Sequence, residues 1–134
     1  TPTTSSAASD VYKRQPGCSS ESFEIFKDGY SLTKDAMIWF WDKFKNNKHD
    51  DFNDAFNLLL LDTNNKFPRT IIVTAGFDPL VDEAEKYASL LHEKGIFVKQ
   101  LHYPSLFHGF ASMTRLKSAN KAVNDFLSEY KKML

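Results

Sequence analysis

Two segments in the second half of the chain carry residues that could do acid–base chemistry. Ile71-Ile72-Val73-Thr74-Ala75-Gly76-Phe77-Asp78-Pro79-Leu80 is an apolar run that ends in an aspartate. Tyr103-Pro104-Ser105-Leu106-Phe107-His108-Gly109-Phe110 brings a histidine thirty residues after it. An aspartate that accepts from an imidazole ring fixes its tautomer, and it stabilises the imidazolium that forms when the ring takes a proton. Asp78 and His108 thus read as two members of a Ser-His-Asp relay. The third member, a serine in a G-x-S-x-G elbow, is absent from the 134 residues. The reading is the catalytic acid and base of a hydrolase whose nucleophile lies outside this sequence.

Each residue alone is ambiguous. An Asp before Pro after a strand is also a helix N-cap with proline in the first helical position. A His before Gly is also an ordinary surface-loop residue. The combination is more specific, with Asp at one strand end and His-Gly-Phe after the next. Ser105 is close to His108 in sequence but does not sit on an elbow between glycines, and Ser19 and Ser20 follow Gly17 without a second glycine. All three read as loop residues. His49, among Lys48, Asp50 and Asp51, reads as a solvated loop histidine. The chain has no metal-ligand spacing. It also lacks the glycine-rich phosphate-binding patterns that half of a nucleotide-binding fold would need. No metal and no cofactor are expected.

The elements that must position the pair follow from hydrophobic pattern. Thr70–Ala75 is a continuous apolar, β-branched run, as in a strand covered on both faces. In Asp82–Lys94, Ala84, Tyr87, Ala88 and Leu91 recur at helical spacing. Asp82 and Glu85 form a plausible capping pair, and Gly95 supplies the stop. Phe97–Tyr103 is a second, more polar strand, suited to a place near the sheet edge. A last helix over Ser118–Lys132 carries Ala119, Ala122, Val123, Phe126, Leu127 and Tyr130 on one face. Strand, helix and strand in that order predict a parallel pair with a helical crossover. In open parallel sheets reactive groups collect at the carboxyl ends of the strands. Loops leaving neighbouring strands only about 4.8 Å apart can then meet.

Upstream, Leu32–Lys45 reads as a helix capped by Ser31 or Thr33. Ala36, Met37, Phe40, Trp41 and Phe44 form one stripe, while Ile38 and Trp39 lie off it, so this helix should touch neighbours on two sides. Trp39 and Trp41 are either walls of an acyl pocket or plain core aromatics. Residues 1–15 are Ser/Thr-rich and end in Asp10-Val11-Tyr12-Lys13-Arg14-Gln15. They read as a disordered or non-native tail, with residues 16–134 as the folded portion.

Composition sets outer limits. Lys plus Arg and Asp plus Glu are 17 each, so the net charge is zero and no basic patch points to nucleic acid. The chain has twelve Phe and two Trp, which suits a packed core, and its single Cys fits a reducing compartment. No apolar run reaches the roughly 20 residues of a membrane span, and no signal sequence opens the chain. A cytoplasmic location is expected. Oligomeric state is not legible.

The run Gly76-Phe77-Asp78-Pro79-Leu80-Val81-Asp82-Glu83, with Tyr103-Pro104 and His108-Gly109-Phe110, resembles the hormone-sensitive-lipase branch of the α/β-hydrolases. These are carboxylesterases acting on short acyl esters. The resemblance covers about residues 22 to 131, including Gly29-Tyr30-Ser31-Leu32-Thr33 and Trp39-Phe40-Trp41. It implies an α/β fold, the C-terminal part of an α/β-hydrolase parallel sheet, and a small-molecule ester substrate. It also implies Asp78 as triad acid and His108 as general base. The family's order of Ser, then Asp, then His puts the serine upstream, and the H-G-G-G oxyanion loop is likewise missing. His-Gly-Phe also occurs in dienelactone hydrolases and prolyl-oligopeptidase relatives, but Pro79-Leu80 and Asp82-Glu83 favour the lipase-like branch. Asp51–Asp62 departs from it, lacking the Pro and Ser common before the acid strand. The competing reading is a non-catalytic α/β module that binds a partner or small ligand.

Overall fold

The computed structural model describes residues 20–44 and 67–133. The tail over residues 1–15, Cys18, Ser19, His49 and the Asp51–Asp62 departure lie outside the described residues. In chain order the elements are helix α1 (Glu21–Ile25), α2 (Lys34–Phe44), strand β1 (Thr70–Phe77), α3 (Val81–Glu93), β2 (Val98–Phe107), a short 3₁₀ turn (Phe110–Ser112) and α4 (Lys117–Lys131). The two strands are adjacent and parallel, with α3 between them in sequence.

Each predicted element forms within two or three residues of its expected bounds, except that β2 runs on to Phe107. Helix α3 closes with paired backbone bonds, Gly95 N to His92 O and Ile96 N to Leu91 O, at 2.9 and 3.0 Å. This is the Schellman arrangement that satisfies the last carbonyls. Its start differs from expectation. The N-cap residue, Leu80, makes no side-chain cap bond, and Asp82 and Glu85 are not a capping pair. The Asp82 carboxylate instead accepts the Ser22 backbone N–H at 2.8 Å, from α1. Thr33 does cap α2, its Oγ1 accepting from Ala36 N at 3.2 Å.

The register runs from Thr70 opposite Val98 to Ala75 opposite Tyr103, then breaks, so that Phe77 faces Phe107. Between those pairs β2 inserts more chain than β1, as in a β-bulge. Gly76 is the residue that permits it. A Cβ there would lie 2.2 Å from the Pro104 carbonyl oxygen, which no side chain can tolerate. Pro104, which cannot donate to a ladder, sits in this irregular stretch.

The buried apolar residues form two clusters. Ala75, Leu106, Phe110, Ala119 and Ala122 form one, where the alanines of α4 let the helix approach β2 closely. Phe23, Leu32, Met37 and Leu80 form the other, joining α1 and α2 to the start of α3. In β1 only Thr74 and Ala75 are fully buried, while Thr70 to Val73 are half-buried, so the full cover expected on both faces is not present among the described residues. Helix α2 has one buried side, Met37 and Trp41. Ile38 and Trp39 are exposed, so the expected contact on a second side is not seen among the described residues.

Candidate active site

The bulge has a direct consequence for chemistry. Once Phe77 is level with Phe107, the next residues on the two chains are Asp78 and His108. Without the re-registration, Asp78 would face a residue still inside β2. The structure brings the two side chains together, with Asp78 Oδ2 2.9 Å from His108 Nδ1. Both are mostly sheltered, at 14% and 18% exposure. At this separation the pair is a normal hydrogen bond, and against an acceptor carboxylate the Nδ1 atom is the one that carries the proton.

Asp78 also shapes its own turn. Its Oδ1 accepts from Leu80 N at 2.9 Å, and its carbonyl accepts from Val81 N at 3.2 Å. The side chain thus mimics a backbone turn at the head of α3. The N-cap position itself belongs to Leu80, and Pro79 precedes the helix. Asp78 is therefore not the N-cap that an Asp-Pro pair suggests. One oxygen serves the turn and the other serves the histidine.

His108 is set by the residues after it. Gly109 takes φ 80°, in the left-handed region, and turns the chain sharply. Phe110 then drops into the core at 6% exposure, with its ring edge-on to Tyr103 at 5.5 Å. His-Gly-Phe is thus a presenting residue, a turn and an anchor. Ser105 lies within β2 and is exposed, three residues short of His108, and is not at a strand-to-helix elbow.

Trp39 and Trp41, two apart on one helix, do not share a face. Trp41 is 8% exposed and Trp39 is 56% exposed. The sequence reading missed a different aromatic group. Tyr30 stacks on Phe77 at 5.1 Å between centroids, and Phe26 meets both rings edge-on. These rings fasten the segment after α1 to the last residue of β1, directly before Asp78. Tyr30 and Phe77 carried only part of the family resemblance, and nothing in local pattern foretells a contact between residues so far apart in sequence. A groove bordered by Glu21, Asp82, Glu85 and Glu93 runs between α1 and α3, and neither Asp78 nor His108 lines it. Among the described residues no group of three or more His, Cys, Asp or Glu could hold a metal ion. No helix there is long and apolar enough to cross a membrane.

The described residues thus form a parallel strand pair with a crossover helix, and an Asp–His pair meets at the carboxyl ends of its strands. A family profile for the α/β hydrolase fold matches residues 6–112, and the chain belongs to that family. Among similar proteins, carboxylic ester hydrolase LipN of Mycobacterium tuberculosis is 32% identical over 109 residues, covering 80% of this chain and 29% of LipN. An arylesterase of Saccharolobus solfataricus is 29% identical, covering 72% of this chain and 32% of its own length. In solved structures, an α/β hydrolase enzyme from the metagenome of Lake Arreo superposes with a TM-score of 0.73 at 36% identity, over 85% of this chain and 35% of that one. A hyperthermophilic esterase from Pyrobaculum calidifontis gives a TM-score of 0.83 at 27% identity, over 91% and 41%. The chain therefore spans about a third of the length of the relatives it matches.

Proposed function

We propose that this chain supplies the acid and the base of a carboxylic-ester hydrolase, Asp78 and His108, acting on a small-molecule ester. The observation that carries the reading is the 2.9 Å contact between Asp78 Oδ2 and His108 Nδ1 at the ends of adjacent parallel strands. Asp78 holds the ring with its Nδ1 proton directed at the carboxylate. Nε2 is then the nitrogen through which the base works, first taking a proton from the nucleophile and then giving it to the departing alkoxide. Asp78 stabilises the imidazolium between those steps. The serine and the oxyanion donors come from outside this sequence, because no elbow and no H-G-G-G loop occur in it. The esterase names of several relatives support an ester as substrate.

The test is a chimera in which residues 20–133 replace the aligned segment of the Mycobacterium tuberculosis relative. The chimera is expected to hydrolyse p-nitrophenyl acetate. His108→Ala should lower kcat on the order of 10³-fold or more, and Asp78→Asn should do so comparably, since loss of the acid leaves the ring in the wrong tautomer. An active chimera indifferent to His108→Ala would remove His108 from the mechanism. The 134-residue chain alone should show no turnover above background, because residual catalysis after triad loss depends on the oxyanion hole. Turnover that vanishes on Ser105→Ala would locate the nucleophile inside the chain.

A further inference from the structure

We propose that Ser22 and Asp82 are positioning residues for the Asp78–His108 pair, forming a clamp that holds the acid-bearing turn from the far side. The inference rests on the reading of that pair given above. Ser22, 3% exposed in α1, makes three hydrogen bonds across the fold. Its hydroxyl donates to the Pro79 carbonyl at 2.9 Å. Its backbone N–H donates to Asp82 Oδ2 at 2.8 Å. The same hydroxyl oxygen accepts from Asp82 N at 3.4 Å. The Ser20 hydroxyl, 3.5 Å away, can donate to the remaining lone pair. Phe23 beside it is fully buried and packs with Leu80 in one cluster.

These bonds enclose the turn. Asp78, Pro79 and Leu80 leave β1 and enter α3, and the clamp grips Pro79 and Asp82 on either side of Leu80. Leu80 N is the donor that fixes Asp78 Oδ1 at 2.9 Å. A carboxylate with one oxygen held has its other oxygen aimed, and here it is aimed at His108 Nδ1. The chain of positioning runs from Ser22 to the turn, from Leu80 N to Oδ1, and from Oδ2 to the histidine. A buried backbone carbonyl and a charge-assisted N–H bond are strong fastenings. The contact also explains why Asp82 stands in the first turn of α3 without capping it.

Nitrogen-15 NMR of the His108 ring, selectively labelled in the full 134-residue chain, tests the clamp. In the unsubstituted chain at neutral pH, the ring should carry its proton on Nδ1 and show a low-field Nδ1–H signal. Ser22→Ala and Asp82→Ala should each abolish that low-field signal while amide signals of α4 and β2 persist. Asp82→Asn, which keeps an oxygen acceptor for Ser22 N, should retain it. Alanine is the best helix former, so Asp82→Ala together with Asp82→Asn decides the matter even where Ser22→Ala unfolds the chain. A lowered melting temperature with the His108 signal intact in Asp82→Ala overturns the clamp and leaves Ser22 and Asp82 as structural contacts. Ring nitrogen shifts that place the proton on Nε2 rather than Nδ1 in the unsubstituted chain overturn the Asp78–His108 reading itself, and the clamp with it.

Discussion

Gly76 and Gly109 flank the site for different physical reasons, and substitutions tell them apart. At Gly76 the obstacle is space, since any Cβ would meet the Pro104 backbone. At Gly109 the space is open, with nothing within 4 Å of a Cβ, and the obstacle is φ 80°. Asparagine visits the left-handed region more readily than other residues with a Cβ. Gly109→Asn should therefore cost well under the roughly 1–2 kcal/mol of a strained residue there. Gly76→Asn and Gly76→Ala should both destabilise by about 1–3 kcal/mol or more, because the colliding atom is backbone and cannot rotate away. Urea denaturation of the four proteins checks this. Equal losses at Gly109→Asn and Gly76→Ala would contradict the bulge as the register-setting device. If the bulge is what levels Asp78 with His108, Gly76→Ala should also lose the His108 Nδ1–H signal.

At the scale of elements, β2 and α4 are tied by polar contacts at their outer side. Lys99 of β2 pairs with Glu129 of α4, and Lys132 pairs with the same carboxylate at 2.5 Å. Tyr103 donates to Asp125 at 2.7 Å, and burial with that carboxylate raises the phenol above its usual range. Bonds from Lys132 and then Lys99 hold Glu129 down to about 2, from an ordinary 4.5. A depressed carboxyl favours the folded state wherever it is ionised in both states. That contribution is present above pH 4.5 and is lost as pH falls from there to about 2. Melting temperature measured against pH should fall more steeply over that window in the unsubstituted chain than in Glu129→Gln. Parallel curves would mean the carboxylate is not held by the lysines in solution. Strand β1, α3 and α4 were legible because each carries an apolar run or a helical stripe, as Ile71–Ala75 and Ala84–Leu91 do, and β2 was legible from its place after the Gly95 stop. Helix α1 was not, since Glu-Ser-Phe-Glu-Ile is too short to show a period and is shaped by its contacts. Asp82 was misread as a cap because its partner lies 60 residues away, and local pattern cannot report a tertiary bond. Asp78 and His108 were legible as types and order, but the bulge that aligns them depends on Gly76 meeting Pro104 across the sheet.

For the whole molecule, the apolar surface left open is the decisive property. Strand β1 has one neighbour among the described residues, and Ile71, Ile72 and Val73 are only half-buried although their pattern is that of a strand with cover on both faces. On α2, Ile38 and Trp39 are 39% and 56% exposed, and Ile25 of α1 is 59% exposed. Met37 and Trp41, by contrast, are buried, so the open surface of α2 lies on the Trp39 side. Single exposed apolar residues are common on monomers, but contiguous patches beyond a few hundred Å² are rare and drive association. The sheet among the described residues, two parallel strands only partly covered, also has little to hold it in water. The isolated chain should therefore enhance ANS fluorescence and sediment with a concentration-dependent mass. Trp39→Glu should reduce both, since it places a charge on the exposed side of α2 without touching the buried Met37 and Trp41. A monomer that unfolds cooperatively and binds no dye would show that these faces are closed in solution, and it would favour the reading of a self-sufficient binding module over that of a hydrolase acid and base.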